Sequence, residues 1–98
     1  MSESQIQVPE SYLALFQTGV GRRLTDPWHH ILWRYESCED LAQGLVPQAR
    51  ALVADLGVTA EAVAPKLAEG LHHPSVGLAP EEVQWVCTRL IELLEHGL

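Results

Sequence analysis

The apolar residues of this chain recur every three or four positions, and nowhere do they alternate with period two. The clearest case is the C-terminal stretch. Pro80 opens it, Glu81 and Glu82 suit its positive end, and Val83, Val86, Cys87, Leu90, Ile91 and Leu94 form one stripe before Gly97. Upstream, Pro9 suits a first helical position, followed by Tyr12, Leu13, Leu15, Phe16 and Val20, with Gly19 and Gly21 as the stop. Thr25-Asp26-Pro27 reads as the start of a second helix carrying Trp28, Ile31, Leu32, Tyr35, Cys38, Leu41, Ala42 and Leu45. Its phase continues through Ala49, Leu52, Val53 and Leu56 to Gly57. Pro47 interrupts it, and Ser37 with Asp40 resembles a capping box, so the pattern predicts two helices, about 27–36 and 38–56. One long bent helix is the alternative. Thr59 caps a further segment with Val63, Ala64, Leu67, Ala68 and Leu71, interrupted by Pro65. The stretch 72–80, HHPSVGLAP, reads as a loop.

These elements predict an all-α fold: a compact bundle of four to five helices, some bent at proline. Residues 1–8 are expected to be a loose tail and 9–98 a single helical domain. At 98 residues and 47% hydrophobic, the chain can bury one core. No apolar run approaches the roughly 20 residues of a membrane span. The opening MSESQIQVPES has no basic or apolar signal region, so a cytoplasmic protein is expected. Cys38 and Cys87 both fall on or near apolar stripes and are expected as buried thiols.

The formal charge of −7 opposes binding to nucleic acid. Much of the acidity has a helical reason, because Glu10, Asp26, Glu39, Asp40, Glu61, Glu81 and Glu82 lie near proposed helix starts. The stretch GVTAEAVAPKLAEG could open a helix-turn-helix, but its recognition helix would begin PEEVQW and carry two glutamates towards phosphates. GVGRR resembles a fragment of a phosphate loop without the preceding strand or the later glycine, and Arg22 and Arg23 are better placed to meet the last carbonyls of the first helix. Serines 2, 4, 11, 37 and 75 lack a nucleophile-elbow context, so catalysis by this chain is not expected.

The residues left over are histidines and tryptophans. His29 and His30 are adjacent and point about 100° apart on a helix, which is poor geometry for one ion. Asp26–His29 and Glu69–His72 each have the carboxylate-x-x-His spacing of bundle metal sites. A metal- or haem-binding protein using His29, His72 or His73, with Glu69, is therefore the alternative function; His30 and His96 are further haem candidates. The favoured expectation needs no cofactor. Trp33 falls off the core stripe of its helix, and Trp85 lies opposite the stripe of the last helix, among Glu81, Arg89, Glu92 and His96. Tryptophan on a polar face is either buried by another element of the same chain or part of a contact surface; Arg89, one turn on, could stack on Trp85, and the contact surface is favoured. A small acidic protein-binding module, a regulator, adaptor, inhibitor or small subunit, is expected to use Trp85, Arg89, Glu92 and Trp33 to bind another protein or itself. On that reading Trp85→Ala leaves the fold intact and weakens association.

Overall fold

The structure, a computed structural model, describes residues 7–18 and 23–96. It is an all-α assembly of four helices in chain order: α1 (Glu10–Leu13), α2 (Trp28–Leu56), α3 (Ala60–Ala68) and α4 (Pro80–Glu95). Short 3-10 turns follow α1 (Ala14–Phe16) and α3 (Glu69–His72). Among the described residues the only β pairing is a two-residue antiparallel one, Gln17–Thr18 with Arg23–Leu24, too short to form a layer. The expectations for Gly19, Val20, Gly21, Arg22 and Gly97, and for the side chain of Arg23, lie outside the described residues.

The first helix, expected to run up to Gly19, ends at Leu13 and passes through the 3-10 turn into the extended pair Gln17–Thr18; the larger departure from the sequence pattern is α2. The two expected helices are one continuous helix of 29 residues, about 43 Å long. Its buried residues are Ile31, Cys38, Ala42 and Ala49. Their separations of seven, four and seven keep one face turned inward along the whole length. Pro47 lacks the N–H that would bond Gln43, but Pro47, Gln43 and Gly44 all lie on the exposed side, where water can satisfy the orphaned carbonyl. Gly57 ends the helix in the left-handed conformation, φ 66°, and its N–H donates to the Val53 carbonyl at 3.0 Å.

Among the described helix starts, α2 begins after Pro27 without a side-chain cap from Thr25 or Asp26, and α3 has one. Thr59 Oγ1 accepts from the Ala62 N–H at 3.2 Å and starts α3, as its position predicts. Pro80 is the first residue of α4, and the Glu82 carboxylate reaches back to accept from the Ala79 N–H at 3.0 Å. Ala79 has no side-chain oxygen, so only that half of a capping box exists. Pro9 and Pro27 sit one position earlier than expected, as extended residues preceding α1 and α2.

The core has two parts. One gathers Tyr12, Ile31, Cys38, Ala42, Leu71, Val83 and Trp85 where α1, the first half of α2 and α4 meet. The other joins Ala49, Val63, Ala64 and Leu90 from the second half of α2, α3 and α4. Leu45, Val46 and Cys87 touch both. Neither cysteine is in a disulfide; Cys38 is buried and Cys87 half-buried.

Candidate binding surfaces

On α4 the buried arc is wider than the apolar stripe and turned away from it. Glu82, Val83, Trp85, Val86, Leu90 and Leu93 are buried, spanning about 160° of the helix at 100° per residue. Trp85 is only 8% exposed, which corrects the expectation that it stands on an open polar face. The cause is α1. Tyr12 meets the Trp85 ring edge-on, centroids 5.2 Å apart, and Tyr35 of α2 meets it at 5.7 Å. The indole N–H donates to Ser11 Oγ at 3.0 Å. Edge-to-face aromatic packing with a satisfied indole N–H is the behaviour of core tryptophan.

The Arg89 guanidinium is held by carboxylates rather than stacked on Trp85. Its Nε and Nη2 donate to the two Glu39 carboxylate oxygens at 2.8 and 3.0 Å, tying α4 to α2. Its Nη1 donates to Glu92 at 3.3 Å. Burial pushes the Glu39 carboxyl up, but Arg89 and then Gln43 more than offset this and hold it below the usual range. Trp85, Arg89 and Glu92 thus have structural partners. They also line a groove of about 500 Å³ between α4 and the α1 segment, open to solvent, with Leu15 and Tyr35 in its walls.

Beside this groove lies a polar cluster that sequence reading missed. Glu82 is buried, its side chain only 4% exposed. It accepts from Tyr12 Oη at 2.7 Å, from Arg34 Nε at 2.8 Å and from Arg34 Nη2. Arg34 Nη2 also donates to the Gly77 carbonyl at 3.0 Å, which fixes the loop before α4. Burial alone would raise the Glu82 pKa; the Arg34 guanidinium, the Ala79 N–H and the Tyr12 hydroxyl hold it below the ordinary carboxylate value. Burial, with the neighbouring Glu82 charge, pushes the Cys38 thiol up to about 11, so it is protonated and poorly nucleophilic at neutral pH. The polar partners of Cys38 are Tyr12 Oη and Glu82. Glu82 looks in the sequence like any acidic residue of a first helical turn. The one available signal was its N3 position, from which a carboxylate can reach the preceding backbone.

On α2 the tryptophans behave differently. Trp33 is 61% exposed, as its place off the stripe predicts. Trp28 is 48% exposed, which corrects its assignment to the core stripe. It projects about 60° from the Ile31–Cys38–Ala42 line, the same angle as Val46, which packs on the core, so the place of Trp28 on the first turn of α2 rather than its face leaves it uncovered. The two rings are five residues and about 140° apart around the helix, with exposed His29 and half-buried Leu32 between them.

The candidate metal residues stay dispersed. His29 is exposed on the first turn of α2, and His30 lies 3.4 Å from Asp26. His72 shares a shallow groove with Glu69 and Cys87. His73 Nδ1 is engaged by the Ser75 hydroxyl at 2.8 Å and accepts from the Ser75 N–H. Among the described residues no three histidine, cysteine, aspartate or glutamate side chains converge on a point that could hold a metal ion. No described helix is long and apolar enough to cross a membrane. No family model, curated protein or solved structure matches the chain.

Proposed function

We propose that this protein is a small acidic protein-binding module that engages its partner with the outer face of α2. The observation that carries the reading is the exposure of Trp28 and Trp33 in the first two turns of α2, on the sides away from the buried Ile31–Cys38–Ala42 line. Removing a large apolar side chain from water is worth about 1.5–3 kcal/mol, and that gain is unrealised in the isolated chain. Tryptophan is also among the residues that most often dominate interface energetics. The binding helix is therefore α2, whereas the sequence pattern favoured α4.

The partner is either another protein or a second copy. The test compares the wild type with Trp28→Ala/Trp33→Ala by sedimentation and by affinity capture from the host, followed by identification of whatever is retained. The wild type is expected to self-associate or to hold a defined partner that the double variant loses, with thermal melting unchanged. A wild type that is monomeric and retains nothing, or a double variant that associates equally well, sinks the reading.

A further inference from the structure

The groove along α4 has a composition of its own. Glu81 and Glu92 stand at its two ends, both exposed, and Leu15, Tyr35 and Trp85 supply its apolar wall. Its one cation, the Arg89 guanidinium, is already held by Glu39 and by one Glu92 oxygen, and the Trp85 indole N–H by Ser11; Gln84 and Thr88 add neutral polar groups. Two charges of Glu39 and Glu92 surround the single charge of Arg89, and Glu81 adds another. The groove is therefore negative as well as partly apolar, and the charged groups still open to a ligand are carboxylates. An occupant must bring positive charge and hydrogen-bond donors. Burial, and then the Glu39 charge, push the Tyr35 hydroxyl pKa up, so it adds no further charge.

The spacing is also informative. Glu81 and Glu92 are eleven residues apart on one straight helix, about 16 Å at 1.5 Å per residue. An extended chain advances about 3.3 Å per residue and turns alternate side chains to one side. Residues one, three and five of such a segment cover about 13 Å on one face, and long basic side chains reach the remainder.

We infer that this groove receives an extended basic segment of a partner protein, with two cationic side chains meeting Glu81 and Glu92 and an apolar side chain between them lying over Leu15 and Trp85. The site makes no use of Trp28 or Trp33, so it stands or falls separately from the α2 reading.

The probe is an acetylated, amidated five-residue peptide with arginine at both ends, leucine in the middle and serine between, titrated into the full chain labelled with ¹⁵N. The Trp85 indole and Arg89 Nε resonances are expected to shift and saturate. The same peptide with glutamate at both ends is expected to leave them unmoved. Glu81→Gln/Glu92→Gln changes only exposed side chains, and should weaken binding by about fivefold, the product of two exposed ion pairs. Trp33→Ala should leave the titration unchanged. The inference is overturned if the arginine peptide produces no shift at Trp85 and Arg89, or if the glutamate peptide binds equally. Unchanged affinity in the double glutamine variant, or shifts confined to the α2 tryptophans, overturns it too.

Discussion

Trp33 and Trp85 occupy equivalent places in the sequence pattern, each on the polar side of an amphipathic helix, and meet opposite fates. Trp85 is covered by the Tyr12 segment and braced by Tyr35, with its N–H satisfied by Ser11. Trp33 has no such cover and stays 61% exposed. The difference is not in the helices that carry them. It comes from α1, four residues long, whose Tyr12 inserts fully buried between α2 and α4. Helical projection ranks faces within one element; a third element decides which polar face becomes interior.

The sharpest way to break this comparison is to truncate both rings. Trp85→Ala should destabilise the fold by about 4 kcal/mol, as large-to-small core changes of tryptophan do. Urea unfolding with the slope held constant would measure it; a loss below about 1 kcal/mol would return Trp85 to the surface. Next in size is Glu82→Ala, expected to cost about 3 kcal/mol because it leaves Arg34 without its carboxylate and Tyr12 without an acceptor. Arg34 remains about a fifth exposed and can partly regain water, which keeps the loss at the lower end of buried-pair values.

The same carboxylate makes stability depend on pH. Its folded-state pKa lies below its unfolded value of about 4.3, so the unfolded chain takes up the proton first. The contribution is complete well above that value and is lost as pH falls through the unfolded and then the folded pKa. Glu39 acts in the same direction. Melting temperature should therefore drop between pH 6 and pH 3, and Glu82→Gln should drop less steeply; equal slopes would mean that Glu82 is not held ionised in the fold.

Trp33→Ala completes the contrast. It should change stability by no more than about 0.5 kcal/mol while weakening partner association by about 2 kcal/mol or more. Equal melting curves with undiminished association would leave Trp33 an ordinary exposed side chain. The smallest expected effect is at a site where sequence and structure agree. Thr59→Ala removes the oxygen that accepts from the Ala62 N–H and should cost about 1 kcal/mol by chemical denaturation.

Features that depend on neighbours in the chain were legible without coordinates. The helical period, the Thr59 cap, the Gly57 stop and Pro80 as the first residue of α4 all express backbone hydrogen bonding over one or two turns. The exposure of Trp33 was not legible in this way, because projection placed Trp85 outside as well and only the lack of a covering element leaves Trp33 there. Continuity of α2 through Pro47 was not legible from the proline alone. A lost N–H breaks a helix only if the orphaned carbonyl is denied water, and here the residue lies on the exposed side. The burial of Trp85 and Glu82, and the groove that Trp85 shares with Arg89 and Glu92, were decided by contacts between residues about fifty to seventy positions apart. Sequence by itself determined the all-helical class, the Thr59 and Gly57 boundaries and the acidity; tertiary structure decided which tryptophan faces water. Periodicity is a property of one backbone, whereas exposure is set by whatever else the chain can bring to cover it.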